Sequence, residues 1–391
     1  MNTGKYVFAQ LIDFIPARIF DRCVDHFNGN YRVRHFSCWN QMLVMIFGQL
    51  SGRDSLRDLI TTASAHSSKY YHLGFGKGLS RSNLASANET RDWRIYQMMA
   101  EEMIAIARAG SRPDPSFMPA IKGNVYAFDS TTIDLCLNVF WWAAFRKAKG
   151  GIKLHTLYEV KTAIPCYVLL TDALTHDING LDGLRYFEKE GFYIMDKGYL
   201  DYGRLYAINV AGAFFVTRPK VNARFRRRYS AKADKANGIL CDQTVMLVGF
   251  YVGKDYPTAL RRIKYYDSEQ ERVFVFITNN FELSALDIAA LYKHRWSVEL
   301  FFKWIKQHLR ITSFWGTTMN AVKTQVYIAV ITYCLISIVR NKLKTERSAY
   351  EMLQIISVSL LDKTHVNSLL QSAKSLNDNN TNPNSLQINL F

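Results

Sequence analysis

A single acidic side chain lies in a segment that is otherwise rich in cations and aromatic residues. Glu299 is the only carboxylate between residues 288 and 345. At about 100° per residue in a helix, an arc of roughly 60° holds four functional side chains: Tyr292, Arg295, Glu299 and Lys306. An acid flanked by cations and a hydroxyl suits metal and phosphate chemistry. The alternative is a solvated charged face on a surface helix.

Two aspartates follow apolar runs that predict buried strands. Asp129 comes after Val125–Phe128, and Asp196 comes after Phe192–Met195. Carboxylate oxygens are the ligands that Mg²⁺ prefers, so two strand-end acids and one helical glutamate would be sufficient to hold Mg²⁺ ions. Asp134 is the alternative to Asp129, and a strand-end aspartate can also form a turn or cap a helix.

The spacing of the four residues around Glu299 resembles a known signature. Tyr, two residues, Arg, three residues, Glu, six residues and Lys is the YREK pattern of DDE transposases of the insertion-sequence-4 group, and this chain fits every position. The resemblance implies that Glu299 is the third metal-binding carboxylate. It also implies that Tyr292, Arg295 and Lys306 hold DNA phosphates.

Three further segments are similar to this group. Asp129 is followed by Ser and Thr, as in the first-acid region of these transposases, and the DKGY sequence starting at Asp196 resembles their second-acid region. The resemblance therefore implies that Asp129, Asp196 and Glu299 are both catalytic and metal-binding, with Mg²⁺ as cofactor and Mn²⁺ as a possible substitute. Lys153 and His155 resemble a Lys-x-His element on the second strand, where His155 is expected to contact phosphate or to be structural.

The order of elements suits an α/β protein with an RNase H-like core. The resemblance implies that this core is catalytic, that a β-rich insertion interrupts it, and that an all-α DNA-binding domain precedes it. One helix is expected from about Leu181 to Glu190, and another runs without a break from the capping box at Ser284 to Arg310. The expected boundaries are a self-contained helical domain at 1–115, core at 116–217, insertion at 218–278, core and C-terminal helices at 279–370, and a disordered tail at 371–391.

The N-terminal region carries a possible DNA reader. A glycine-rich turn at Gly74–Gly78 precedes a helix with polar residues in its first turns, which is compatible with a helix-turn-helix and resembles the N-terminal region of the same transposases. The expected DNA contacts in this helix are Arg81, Asn83 and Arg91. An ordinary small helical bundle is the alternative.

A second basic segment lies in the predicted insertion. Residues 218–235 contain eight cations and one acid. Arg226, Arg227 and Arg228 lie between two aromatic residues and are expected to bind the DNA backbone as flexible cations of a loop. A solvated charge run is the usual alternative.

Composition agrees with a polyanionic partner. The 391 residues include 49 Lys and Arg against 33 Asp and Glu, for a net charge of +16 and a pI near 9.5. Six scattered cysteines without a CxxC motif indicate neither a zinc site nor a disulfide framework, and a reducing bacterial cytoplasm is expected. The apolar stretch Val322–Val339 contains polar residues and predicts a buried core helix, so no membrane association is expected.

The predicted function is a cut-and-paste transposase. It would bind the terminal inverted repeats of its element in double-stranded DNA, act as a homodimer on paired ends, and join the element to target DNA. A non-mobile RNase H-like nuclease and a catalytically silent DNA-binding protein remain alternatives, as does a tyrosine recombinase using Tyr292, His294 and Arg295. Related transposases that form a DNA hairpin stack a flipped base on a Trp of the insertion. No Trp lies between Trp142 and Trp296 here, so either no hairpin forms or another aromatic residue takes that role.

Overall fold

The computed structural model describes residues 4–113, 117–118, 120–146, 149–175, 180, 186–309, 311 and 313–371. The expected tail lies outside these residues except for Gln371.

The N-terminal region is helical, as predicted. Its elements are α1 Val7–Ile12, α2 Ala17–His26, α3 Cys38–Leu50, α4 Leu56–Ser64, α5 Tyr70–Leu73, α6 Arg81–Thr90 and α7 Arg94–Gly110. Serine caps begin three of them: Ser37 forms a full capping box with Asn40, and the hydroxyls of Ser55 and Ser80 accept hydrogen bonds from the third helical residue. Gly74, at φ +72°, ends α5 in the left-handed conformation that glycine adopts without strain.

The described strands form one mixed sheet. They are β1 Val125–Leu135, β2 Ala144–Arg146, β3 Lys149–Glu159, β4 Ile164–Asp172, β5 Phe192–Met195, β6 Phe214–Thr217, β7 Phe225–Ala231, β8 Ile239–Leu247, β9 Leu260–Asp267 and β10 Arg272–Thr278. The order across the sheet is β2-β3-β1-β5-β6-β10-β9-β8-β7, and β4 pairs with β3. β1 is antiparallel to β3 and parallel to β5, and β5 is parallel to β6.

The parallel pair β1 and β5 brings two predicted site residues together. Phe128 lies opposite Met195 at the end of this pairing. Asp129 and Asp196 are the next residue on each strand, so they lie side by side at the same edge. Asp134 lies five residues after Asp129 on the same strand. Because successive side chains point to opposite faces, Asp134 lies on the other face of the sheet.

The stretch predicted as a β-rich insertion contains β7 to β10, and these strands extend the sheet. β10 pairs with β6 through Ile277 opposite Thr217 and Thr278 opposite Val216. Within this stretch β8 ends at Leu247, and α9 covers Phe250–Asp255. The helix expected from about Leu181 also differs: residues 181–185 lie outside the described part of the chain, and residues 186–190 are not helical. The helix expected near Gly203 is α8, Tyr202–Val210.

The C-terminal helices are α10 Ala285–Lys293, α11 Trp296–His308, α12 Met319–Leu343, α13 Ala349–Ser359 and α14 Val366–Gln371. The single helix expected from Ser284 is therefore two helices. The amides of His294 and Arg295 bond to carbonyls three residues earlier, which makes a tight turn between them. Tyr292 consequently packs against Phe276, and Leu300, expected on the packed face, is 59% exposed.

The N-terminal helices share their core with the C-terminal helices. One continuous apolar cluster includes residues of α1 to α7, of β1, β3 and β4, and of α11 to α14. Trp93 stacks on Tyr327 of α12 with ring centroids 5.7 Å apart, and the amide of Val7 donates to the carbonyl of Asp362. The self-contained unit at 1–115 stays a prediction, and these helices bury their apolar faces against α12 to α14.

Helix α12 is the central element of that shared core. Every residue from Ala321 to Val339 except Lys323 is buried. By length and apolar character it is the one described helix that could cross a membrane, but 89% of its most apolar window is buried inside the protein. The sequence prediction of a buried core helix is confirmed.

Candidate active site

Asp129 lies in the middle of the sheet, at the end of the part of β1 that pairs with β5. The Ser130 amide donates to Asp129 Oδ1 at 2.8 Å, and the Tyr199 hydroxyl donates to the same oxygen at 3.3 Å. Arg295 Nη1 lies 3.0 Å from Asp129 Oδ2. The carboxylate is therefore held by donors from β1, from the segment after β5, and from the turn between α10 and α11.

Burial raises the pKa of Asp129 to about 6. The hydrogen bond from Ser130 and the charge of Arg295 lower it, whereas the charges of Glu299 and Asp196 raise it. The like-charge effect of these two acids indicates that the three carboxylates lie in one electrostatic site.

This raised pKa predicts how stability depends on pH. The ordinary value is 3.8, so the folded protein holds this proton more tightly than the unfolded chain, and the resulting stabilisation is lost as pH rises through about 6. In the wild type, the free energy of unfolding should fall by up to about 3 kcal/mol between pH 4 and 7 because of Asp129. In Asp129→Asn this contribution to the fall should be absent. Urea unfolding across that range measures it. Asp134→Asn should keep the fall, and parallel curves for wild type and Asp129→Asn would contradict the prediction.

Asp196 follows β5 directly and is held by a different arginine. Arg218 Nη2 lies 2.6 Å from Asp196 Oδ1, and the Tyr292 hydroxyl donates to the same oxygen at 3.4 Å. Burial raises the pKa of Asp196, but the hydrogen bond and charge of Arg218 outweigh burial and hold it below its usual value. Burial also raises the pKa of Tyr292 to about 12, so its hydroxyl stays protonated as a donor.

Glu299 joins the site through Arg295. Arg295 Nη1 lies 2.6 Å from Glu299 Oε1 and 3.0 Å from Asp129 Oδ2, so one guanidinium bridges the two acids. Among the described residues, no group of three or more His, Cys, Asp or Glu side chains is arranged closely enough to hold a metal ion. Arginine side chains thus lie between carboxylates that the sequence predicted to be metal ligands.

Lys306 contacts the strand that carries Asp129. Its Nζ donates to Thr131 Oγ1 at 2.6 Å and to the Thr132 carbonyl at 2.7 Å. It lines a cleft of about 510 Å³, formed by Asp129, Ser130, Thr131, Glu299, Phe302, Lys303, Lys306 and Gln307. This open cleft, with acids on one side and lysines on the other, can admit a polyanionic chain.

A smaller recess adjoins the two arginines. It has a volume of about 200 Å³ and is lined by Arg218, Tyr265, Asp267, Gln270, Arg272, Phe274, Phe276, Ala289, Tyr292, Lys293, Arg295 and Trp296. Trp296 is half exposed beside Arg295, whose guanidinium carbon lies 5.0 Å from the indole centroid. Aromatic rings and cations therefore lie within the same recess, next to the acids.

The two β3 residues have contacts inside the fold. Lys153 Nζ donates to the Thr175 carbonyl at 2.7 Å. His155 is fully buried, and its Nε2 lies 2.9 Å from Thr171 Oγ1. This burial favours a structural role for His155 over contact with phosphate.

The remaining predicted DNA contacts lie outside this centre. Arg226, Arg227 and Arg228 are exposed on β7, the last strand of the sheet, so they do not lie on a loop as expected. In α6, Arg81 and Asn83 are exposed. Arg91 instead donates to the Phe36 and Ser37 carbonyls and to Gln41 Oε1, which ties the end of α6 to α3.

Two residues of the centre were not singled out from the sequence. Arg218 was counted only as part of a basic run, and Tyr199 only as part of a motif. Arg218 directly follows β6, the parallel neighbour of β5, so a cation at that strand end beside a strand-end aspartate was a usable signal.

The donor set fits a divalent metal ion in its chemistry. Asp129, Asp196 and Glu299 supply hard carboxylate oxygens, as Mg²⁺ and Mn²⁺ require. The negative charges of Glu299 and Asp196 raise the pKa of Asp129, so positive charge is needed to stabilise all three carboxylates in their ionised form. In the described arrangement, Arg218 and Arg295 supply that positive charge.

Two neighbouring strand aspartates, with a helical glutamate joined to one of them through Arg295, define the acidic centre of this α/β protein. Comparison with known families identifies the class of protein: residues 121–335 match the transposase DDE domain, which is more than half of the chain. The chain belongs to this family. Residues 3–76 match a domain of unknown function, DUF4372.

Individual relatives agree with the family match. A Sinorhizobium fredii protein named as the transposase y4zB is 38% identical over 214 residues, which is 54% of this chain and 59% of the relative. A Geobacillus stearothermophilus protein named as a transposase for insertion sequence element IS5377 is 31% identical over 210 residues, 53% of this chain and 54% of the relative. The chain thus spans somewhat more than half the length of these relatives.

Proposed function

We propose that this protein is the transposase of an insertion element, cutting the element from DNA at its terminal repeats and joining it to a target. The observation that carries the proposal is the placement of three acids around one centre: Asp196 lies beside Asp129 on the neighbouring strand, and Arg295 bridges Asp129 to Glu299, both of which line the cleft. The family match and the transposase names of the relatives support it.

The fold is proposed to be an RNase H-like core with an insertion. The order β4-β3-β1-β5-β6 supports this, because three antiparallel strands are followed by two strands parallel to β1. β7 to β10 and α9 would be the insertion, placed between β6 and the helices that carry the YREK residues. The end of the paired part of β1 and the end of β5 would then form the catalytic edge.

Asp129, Asp196 and Glu299 would hold Mg²⁺, with Mn²⁺ as a substitute. When bound, two such ions activate a water or a DNA 3′-hydroxyl and stabilise the leaving oxygen. The protein itself supplies positioning: the Ser130 amide and the Tyr199 hydroxyl orient the carboxylate of Asp129. Tyr292 orients that of Asp196.

The cations around the acids would bind the DNA backbone. Lys306 and Lys303 line the cleft, and Arg295 lies between the cleft and the recess. Guanidinium groups bind phosphate in a bidentate manner, which fixes the scissile bond relative to the carboxylates. Burial lowers the pKa of Lys306, and a neighbouring phosphate would favour its charged form.

Helix α6 is proposed to read the terminal repeat. It follows the glycine turn, begins at the Ser80 cap, and presents Arg81 and Asn83 to solvent. Arg91 would position this helix on α3 and would not contact bases itself. A homodimer on paired ends, in the bacterial cytoplasm, completes the proposal.

The proposed function is tested with a duplex that carries the element's end and its flanking DNA. Purified full chain with Mg²⁺ should cut at the element boundary and join the released 3′ end to a second duplex. Cleavage of unrelated duplexes without joining would instead indicate a non-mobile nuclease. Binding without cleavage in Mg²⁺ or Mn²⁺ would indicate a silent DNA-binding protein.

The arginines of β7 give a separate prediction. Arginine on an edge strand also discourages pairing with other chains, so exposure alone does not assign a DNA contact. If Arg226, Arg227 and Arg228 bind phosphates, replacing all three by Ala should flatten the slope of log affinity against log salt by up to about 3 units. Cognate and unrelated duplexes should lose affinity equally. An unchanged slope would leave these residues as a solvated edge, and a loss confined to cognate DNA would mean that they read bases.

A further inference from the structure

The three carboxylates of the centre are already paired with cations of the same chain. Arg218 binds Asp196 at 2.6 Å, and Arg295 binds both Asp129 and Glu299 at 3.0 and 2.6 Å. Each contact takes up one oxygen of a carboxylate that a metal ion would bind. A divalent ion that uses these oxygens must displace a guanidinium, and at the remaining oxygens it meets the positive charge of the two arginines.

Displacing a guanidinium from its carboxylate is electrostatically unfavourable unless another anion takes the place of the carboxylate. Three carboxylates face two guanidiniums, so the local charge of these five groups is close to −1. Adding one or two divalent ions would leave a positive excess in a half-buried site. A DNA phosphate offers the arginines an alternative partner and restores the balance.

Arg218 is already oriented for such an exchange. Its guanidinium carbon lies 5.8 Å from the Tyr292 ring centroid, and it lines the recess beside the acids. Its Nε is buried and has no hydrogen-bond acceptor among the described residues. A phosphate in the recess would accept from Nε and Nη2 together, whereas Asp196 uses Nη2.

We propose that Arg218 and Arg295 are exchangeable counter-ions of the catalytic acids. In the free protein they neutralise the carboxylates and oppose metal binding. When DNA occupies the cleft, its phosphates take over the guanidiniums and release the carboxylates for the metal. Metal and DNA binding are then positively coupled, and by linkage each raises the affinity of the other equally. This inference rests on the proposed function.

The first test measures Mn²⁺ binding to the full chain without DNA, using the electron paramagnetic resonance signal of free Mn²⁺. Arg218→Gln should bind Mn²⁺ about tenfold more tightly than wild type, because a competing cation is gone. Arg218→Lys should give a smaller gain, since the charge remains but the fork geometry is lost. Arg94→Gln, which breaks the exposed pair with Asp92 far from the centre, should leave the affinity unchanged.

The second test repeats the Mn²⁺ measurement with a pre-cleaved end duplex present. The Mn²⁺ that binds to the DNA outside the acidic centre is measured with the double variant Asp129→Asn, Asp196→Asn, and is subtracted. DNA should raise the Mn²⁺ affinity of wild type about tenfold and that of Arg218→Gln by clearly less. Circular dichroism melting establishes that Arg218→Gln is folded, and Arg218→Lys serves in its place if it is not.

The inference is overturned if both Arg218 variants bind Mn²⁺ no more tightly than wild type, or if DNA raises the affinity of all proteins equally. Either result would mean that the arginines hold the acids in place for the metal. Failure of the proposed function is a separate outcome: wild type would not cut an element end with Mg²⁺, whatever its Mn²⁺ affinity.

Discussion

Asp196→Asn should lower Mg²⁺-dependent cleavage at element ends by about 10³-fold or more, a loss of about 4 kcal/mol of transition-state stabilisation. The amide keeps the shape of the side chain but loses the charged oxygen that faces Arg218 and that would bind the metal. Asp129→Asn and Glu299→Gln should have effects of the same size. Cleavage of a labelled end duplex under single-turnover conditions measures all three.

Asp134→Asn is the matched control for these variants. It lies on the same strand as Asp129 but is exposed on the opposite face, so its substitution should leave cleavage within about twofold of wild type. Binding of the end duplex should persist in every variant, because the residues proposed to contact DNA are left unchanged. Wild-type cleavage by Asp196→Asn, or loss of cleavage in Asp134→Asn, would mean that the acids have been assigned incorrectly.

A fragment of residues 1–115 should not fold by itself. Its helices bury their apolar faces against α12 to α14, including the stacked pair Trp93 and Tyr327. Exposing one large apolar side chain costs about 1.5–3 kcal/mol, and the whole stability of a domain is about 5–15 kcal/mol. Removing α12 exposes many such side chains, so the loss exceeds the stability available.

Circular dichroism and thermal melting test this expectation. The fragment should show reduced helicity without a cooperative transition, whereas a chain of residues 4–371, which keeps every described element, should melt cooperatively. A cooperative, protease-resistant fragment 1–115 would contradict it. In that case the shared core would be an interface between two independently stable units.

The sequence predicted the residues of the centre better than their contacts. Asp129 and Asp196 could be placed because each acid directly follows an apolar run, and the parallel pairing of the two runs brings the acids side by side. Asp196 follows the end of β5, whereas β1 continues past Asp129 to Leu135. The break between α10 and α11 could not be predicted, because the helical spacing of apolar residues continues through a tight turn of two residues. Tyr292 was therefore assigned to an exposed face, although it is buried against Phe276.

Contacts between elements far apart in the chain were the hardest feature to predict from the sequence. The apolar face of α7 predicts that the helix packs, but periodicity does not say whether its partner is a neighbouring helix or α12, more than two hundred residues later. The ion pair of Arg295 with Asp129 likewise joins residues that are 166 positions apart in the chain. His155 matched a family element in type, and only the three-dimensional arrangement places it in the interior.

The backbone link between α1 and the segment that precedes α14 bears on when the protein can act during its own synthesis. The amides of Val7 and Phe8 bond to the carbonyls of Asp362 and Leu360, so the first helix reaches its final position only after those residues have left the ribosome. Until α12 to α14 have emerged, a nascent chain lacks the surface against which α3 and α7 pack. We therefore expect α1, α3 and α7 to reach their final packing late in the folding of the newly made chain.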